Sequence, residues 1–291
     1  MRAAQVVSLD GPDGIQVVEV DEPVARDGQV VIDVEAAGIT FPDLLMTRGE
    51  YQMKPTPPFV PGSQVAGVVR SAPEGSGLEP GARVAALCGL GGFAEVATAG
   101  PDATLPLPDA VSFAAGAILP VNYLTAEFAF ERRGRLEPGE TVLVHGAAGG
   151  VGTACIQVAK AMGARVLAVT STEAKGEVAR SVGADEVLPA DGFRDAAREL
   201  TDGRGVDVVL DPVGGDRFTD SLRSLATEGR LLVVGFAAGD IPTVKVNRLL
   251  LHNTTVVGVA WGEYAMSHPG YIQEQWSRLS PLLATGAVTP L

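Results

Sequence analysis

The chain of 291 residues carries 35 acidic against 22 basic side chains, a formal net charge of −13, and is 46% hydrophobic. This is the balance of a globular protein long enough for two cored domains, and its acidic surplus argues against nucleic acid, whose phosphates it would repel. No apolar run is long enough to cross a bilayer, Met1-Arg2-Ala3-Ala4-Gln5 is no secretory leader, and the two cysteines, Cys88 and Cys155, lack metal or redox spacing, so a reducing, cytoplasmic setting is expected.

Up to about Ala117 the sequence consists of short β-type runs divided by Gly and Pro. Strands are predicted at 16–20, 29–35, 64–70, 83–87 and 93–98. Strands so short and closely spaced suggest a compact, barrel-like β domain. The tetrapeptide Leu-Glu-Pro-Gly at 78–81 recurs at 136–139, each time just before a strand. Pro-Gly turn chemistry accounts for it without an internal repeat.

From Thr141 the texture changes to regular alternation. Apolar strands are predicted at 141–145, 165–170, 186–189, 206–211, 230–235 and 254–260, with helices at 173–182, 194–200 and 216–226 between them. Six strands separated by helices fit a doubly wound parallel sheet buried on both faces.

The first of these strands runs directly into Gly146-Ala147-Ala148-Gly149-Gly150-Val151-Gly152. Val151, Ala154, Cys155, Val158 and Met162 then recur at helical spacing, so a helix begins at the glycines. Gly149 lets the backbone approach a pyrophosphate, and Gly152 lets helix and strand pack closely. The helix start offers unpaired N–H groups to the anion. Ala148, Gly149, Gly150, Val151 and Gly152 are therefore candidate dinucleotide-binding residues, although Ala147 replaces the first glycine of the usual pattern.

The second strand ends Val169-Thr170-Ser171-Thr172, without the acid that holds ribose hydroxyls in NAD sites. Ser171 can donate a hydrogen bond and Lys175 can supply charge. Lys175 alone reads more commonly as an exposed helix lysine. With the acid missing, Thr170, Ser171 and Lys175 together point to NADPH. Val213, Gly214, Gly235 and Phe236 follow the fourth and fifth strands, at the strand ends where ligands bind in this architecture.

Several segments in order resemble the zinc-independent quinone oxidoreductase (zeta-crystallin-like) branch of the medium-chain dehydrogenase/reductase superfamily. They are Ala37-Gly38-Ile39-Thr40-Phe41-Pro42-Asp43, Arg48-Gly49-Glu50-Tyr51, Pro58-Phe59-Val60-Pro61-Gly62, His145 through Gly152 with Gln157 and Ala159-Lys160, Asp211-Pro212-Val213-Gly214-Gly215, and Val257 through Gly262. The resemblance implies an α/β protein: a GroES-like, β-barrel-type substrate domain over 1–119, rejoined by 263–291, and a Rossmann NADPH-binding domain over 120–262. It further implies that relatives continue past Leu291 by a helix and a closing strand with a Gly-Lys pair, so this sequence is expected to be a truncated form.

Zinc-dependent relatives place Cys, and then Gly-His-Glu, where this chain has Thr40 and Gly62-Ser63-Gln64. Neither hydroxyl replaces a thiolate or imidazole, and His145, His252 and His268 show no ligand spacing, so no metal is expected. Hydride would then pass to an intrinsically good acceptor, a quinone or an activated alkene such as an enal, enone or enoyl thioester. A non-catalytic NADPH-binding protein is the remaining alternative.

Tyr51 and Thr40 are the candidate catalytic residues, and Phe41 and Thr125 join the cofactor set. Tyr51 reads either as a hydrogen-bond donor to a quinone oxygen or as a loop aromatic. Thr125 stands beside the nicotinamide in the family and otherwise reads as a helix-start hydroxyl. Asp43 reads as a helix cap. The chain departs from the family at Thr40 (often Asn), Gln64 (Glu), Ala190 (Tyr) and Glu127 (an aromatic). The apolar last strand of the sheet invites pairing with a second copy, so a homodimer is expected.

Overall fold

A computed structural model describes all residues, Met1–Leu291. The chain divides into two compact units, one formed by 1–121 with 269–284 and the other by 122–268 with 285–289.

The first unit opens with an antiparallel ribbon, β1 (Arg2–Val6) with β2 (Ile15–Glu19). Then come β3 (Val30–Gly38), α1 (Phe41–Thr47), β4 (Gln64–Ser71), β5 (Arg83–Leu87), β6 (Val96–Ala99), β7 (Thr104–Pro106) and α2 (Phe113–Gly116). Strands β3 to β7 form one antiparallel sheet in the order β6-β3-β4-β5-β7. Its alternating Val30, Ile32, Val65, Val69, Val84 and Ala86 make the core, as expected for a sheet buried on one face. The β3–β4 register shifts between Val34 and Ala36. Opposite that bulge Gly67 is obligatory, because a Cβ there would lie 1.9 Å from the Asp33 carbonyl oxygen.

A helical run over 119–134, in which α3 (Leu124–Glu127) is flanked by wider π turns, leads from the first unit into the second. The second unit continues through β8 (Thr141–Val144), α4 (Gly150–Ala161), β9 (Arg165–Thr170), α5 (Glu173–Ser181), β10 (Glu186–Pro189) and α6 (Phe193–Glu199). After these come β11 (Val206–Asp211), α7 (Phe218–Ser224), β12 (Leu225–Val233), α8 (Asn247–His252), β13 (Thr255–Gly258) and α9 (Trp261–Ser267). The six strands pair parallel in the order β10-β9-β8-β11-β12-β13, a doubly wound Rossmann sheet. Every residue of β8 and β11 is buried, which is why those strands read as unbroken apolar runs. The chain then returns to the first unit as α10 (Tyr271–Ala284), where Gln273 Nε2 donates to the carbonyls of Asp102 and Thr104 at 3.1 and 3.2 Å.

The two Pro-Gly turns are as the sequence suggests, with Gly81 and Gly139 at φ +89° and +87°. The helix expected over 216–226 stops at Ser224, because Leu225 pairs with Val206 and starts β12 early. Glu228, at φ +65°, then kinks the strand before Arg230 rejoins the ladder. Strands β1 and β7 and helices α8 and α10 lie outside the sequence expectations. α8 shows why: Leu250 and Leu251 are 75% and 73% exposed and only Leu249 packs on the core, so no apolar stripe marks the helix.

Arg230 is the main polar tie of the second unit. Its guanidinium grips both Glu140 carboxylate oxygens at 2.7 Å and also donates to the carbonyls of Gly134 and Arg135. Both side chains are 20% exposed. Burial pushes the Glu140 carboxyl up, but hydrogen bonds from Arg230 and from the Glu137 N–H outweigh it and hold it below its ordinary value. We expect Arg230→Met to destabilise the protein by about 3 kcal/mol at neutral pH. Because the folded carboxyl is the stronger acid, that contribution is present above the unfolded pKa of about 4.3 and is lost as pH falls through the lower folded value. Urea midpoints for the two proteins should therefore converge in acid; a gap independent of pH would contradict this account.

Candidate functional site

The turn between β8 and α4 is built around close backbone passage. A Cβ on Gly152 would lie 2.2 Å from the Gly146 carbonyl oxygen and 2.8 Å from the Ala147 Cα, so only glycine lets the first turn of α4 lie against the strand end. Gly149, the residue before α4, faces the opposite situation: its Cβ would meet only the Gly146 carbonyl oxygen, at 3.2 Å. Gly149 and Gly150 are exposed while Gly152 through Ala159 are buried. No side chain caps this helix. Its first N–H groups thus point from a buried helix to an open surface, the arrangement that receives an anion.

The neighbouring strand ends complete this edge. β9 ends at buried Thr170, followed by exposed Ser171, whose hydroxyl accepts from Lys175 Nζ at 3.1 Å. Thr172 caps α5, accepting from the Lys175 N–H at 3.3 Å. The sequence reading of Lys175 as merely a solvated helix lysine omits this pairing. After β11, Asp211 Oδ1 accepts the N–H groups of Val213 and Gly214, each at 2.9 Å. Gly214, at φ +65° and ψ −144°, takes a conformation restricted to glycine. A Cβ on it would reach the Phe236 ring at 3.0 Å, and one on Gly146 would meet Val213 Cγ2 at 3.2 Å. Val213, Gly214, Gly235, Phe236 and the glycine turn therefore gather at the carboxyl ends of β8, β11 and β12.

Thr125 is buried within α3, inside a continuous helical run and not at a helix start. Asn122, which no sequence pattern singles out, is buried, and its side-chain amide is the nearest group to a Cβ placed on Gly150, at 2.7 Å. Beneath the turn lies His145, fully buried, with Nε2 2.8 Å from the Ser221 hydroxyl of α7. Burial drives its pKa down to about 4, which the nearby Asp211 opposes and Arg217 assists, so the imidazole is neutral. His145 and Asp211 support the two turns, and Asp211 had a legible signal: Asp two and three residues before the amides it holds is an Asx turn.

In the first unit, Thr40 precedes α1 and Asp43 caps it. Asp43 Oδ2 accepts both the Thr40 N–H, at 2.7 Å, and the Thr40 hydroxyl. Asp43 Oδ1 accepts from the Gly62 N–H at 3.3 Å, and Cys88 Sγ donates to the Gly62 carbonyl at 3.4 Å. Burial pushes the Cys88 thiol up to about 12, so it stays protonated at neutral pH and is a poor nucleophile. Gln64 Oε1 accepts from the Val121 N–H at 2.9 Å. Phe41 opens α1 with its ring about half exposed, and half-buried Tyr51 lies four residues past the end of that helix. No three His, Cys, Asp or Glu side chains are placed to hold a metal ion.

Two family models match: the alcohol dehydrogenase GroES-like domain over residues 26–109 and the zinc-binding dehydrogenase domain over 150–285. Rat quinone oxidoreductase-like protein 2 is 41% identical over 267 residues, which are 90% of this chain and 76% of that protein. A probable oxidoreductase from Mycobacterium abscessus superposes with a TM-score of 0.91 at 52% identity, covering 99% of this chain and 88% of that one. The quinone oxidoreductase of Thermus thermophilus, whose structure was also determined as a complex with NADPH, gives a TM-score of 0.84 at 38% identity over 99% of this chain and 89% of that one.

The two glycines of the turn should separate in their behaviour. Gly152→Ala forces α4 off the end of β8, and we expect it to destabilise the chain by about 3 kcal/mol, the upper end of the usual cost of overpacking a tight interior. Gly149→Ala should cost no more than about 1 kcal/mol, the difference between glycine and alanine ahead of a helix. Thermal unfolding of both variants checks this, and equal losses would contradict it.

Proposed function

The chain belongs to the zinc-independent quinone oxidoreductase branch of the medium-chain dehydrogenase/reductase superfamily, and from this we propose that it is an NADPH-dependent reductase that passes hydride to a quinone. The observation that carries the reading is the open, uncapped start of α4 beside the Ser171–Lys175 pair. The first N–H groups of α4 suit a pyrophosphate, and exposed Gly149 and Gly150 leave room for it. Ser171 and Lys175 suit a 2′-phosphate, since no carboxylate occupies the end of β9 to repel one. Thr125, Ala148, Val151, Gly152, Thr170, Val213, Gly214, Gly235 and Phe236 complete the proposed cofactor set in this unit.

When bound, the reduced nicotinamide supplies the hydride. The side chains at Thr40 and Ser63 offer hydroxyls where a zinc site would need a thiolate and an imidazole, so the acceptor must be electrophilic by itself. A quinone meets that requirement. The Thr40 hydroxyl gives its hydrogen to Asp43, leaving only lone pairs to offer. By the family resemblance Tyr51 is the proposed donor to a quinone oxygen, with water as the source of further protons.

The same reading includes a homodimer formed through β13. That strand is last in the sheet, with one side unpaired by strands, and the exposed Leu250 and Leu251 precede it. A cytoplasmic setting suits the two unpaired thiols, Cys88 and Cys155.

Purified protein should oxidise NADPH faster than NADH with quinones, tested beside enals, enones and enoyl thioesters. No turnover with any acceptor would leave only a binding role, and preference for an alkene would move the substrate class. Lys175→Ala should raise the KM for NADPH by about tenfold or more, as expected for losing a charge-assisted contact, with kcat and the NADH kinetics little changed. Equal effects on both cofactors would remove Lys175 from the phosphate site. Equilibrium sedimentation should give twice the chain mass.

A further inference from the structure

The second unit carries a cleft of about 640 Å³ that none of the candidate nucleotide-site residues lines. Its walls are Arg194 and Arg198 of α6, Arg223 of α7, and Lys245, Arg248 and His252 on and before α8, while Leu222, Leu225 and Leu251 add apolar surface. Asp195 is its one acidic lining residue. The whole chain has only 22 basic side chains and a net charge of −13, so five permanent cations around one cleft are not a sample of its surface.

The cations divide into two groups. Arg194 is held by Asp195 at 2.7 Å and by Asp220 at 3.3 Å, and Asp220 also takes Arg223 at 3.2 Å. Arg198 donates only to the carbonyls of Arg223 and Gly203, which satisfy its N–H groups without neutralising its charge. Neither Lys245 nor Arg248 has an ion-pair partner within 4.0 Å. α6 and the α8 segment thus present the unneutralised cations Arg198, Lys245 and Arg248 to one concavity, and a cleft lined by one sign of charge attracts counter-ions.

We propose that this cleft binds a compact multivalent phosphate, either free pyrophosphate or the phosphate tail of a nucleotide. Guanidinium forks match phosphate oxygens in pairs, and the volume falls within the range of small-molecule sites. Cations on three different elements favour a ligand with several charges over a single carboxylate. The proposal does not depend on the NADPH assignment, because the cleft and the glycine turn share no residue.

The test is calorimetric titration of pyrophosphate, and separately of ATP without magnesium, into protein already saturated with NADP+, which blocks phosphate binding at the α4 turn. One site per chain is expected, with a Kd of about 1 mM or tighter, weakened about tenfold or more in the double variant Arg198→Ala/Arg248→Ala and unchanged in Lys175→Ala. Binding of both ligands assigns the shared diphosphate group; binding of ATP alone assigns a nucleotide. NADPH oxidation by the double variant should match the parent. The proposal is overturned by absence of saturable heat, by equal binding in the double variant, or by loss confined to Lys175→Ala. It is also overturned if the double variant dissociates to monomers while the parent binds no phosphate, since the cations would then serve a second copy.

Discussion

The approach of α4 to the end of β8 is the constraint on which the second unit depends. The distance from a Cβ on Gly152 to the Gly146 carbonyl oxygen, 2.2 Å, shows that no other residue permits it. The helix start consequently lies at the carboxyl edge of a fully buried strand, with unsatisfied N–H groups directed outward. The following turns adapt to that placement. Asp211 gathers the Val213 and Gly214 amides beside Gly146, and neutral His145 ties the end of β8 to α7 through Ser221. A charged imidazole there would need a solvation that the core does not offer, and burial keeps it neutral at physiological pH.

Much of this was legible in the sequence because backbone constraints leave residue signatures. The parallel strands emerge as apolar runs since both of their faces are covered, and β9, β10 and β11 occupy the predicted residues. Gly149, Gly150 and Gly152 announce a turn because no side chain fits or because space is left open. What stayed hidden depends on contacts distant in sequence. Asn122 approaches Gly150 from another helix, and Arg230 meets Glu140 across 90 positions. Neither has a local pattern. Helix α8 escapes the sequence for another reason: Leu250 and Leu251 face solvent and only Leu249 packs on the core, so periodicity does not report a buried stripe.

The structure also fixes what Thr40 can do. Asp43 collects the Thr40 amide and hydroxyl on one oxygen and the Gly62 amide on the other, so the carboxylate fixes α1 to the Pro61-Gly62 segment. A threonine so used cannot also deliver its proton without breaking that cap. Asp43, read from sequence as a helix cap, is a cap that decides what its neighbour can do.

Charge placement follows the same logic at larger scale. An acidic chain repels anions in general, so an anionic ligand must be received where local cations or unpaired N–H groups outweigh the overall field. At the α4 turn the attraction comes from backbone dipoles and a single lysine held by a serine. In the cleft of α6, α7 and α8 it comes from side chains alone, mostly exposed and therefore weakened by salt. Binding at the first should rest on geometry and tolerate ionic strength, while binding at the second should fall steeply as salt is added. The carboxyl ends of the sheet combine a fixed turn, open N–H groups and a strand end free of carboxylates, so in the proposed site selectivity for a phosphorylated dinucleotide would arise from what the end of β9 lacks as much as from what Lys175 adds.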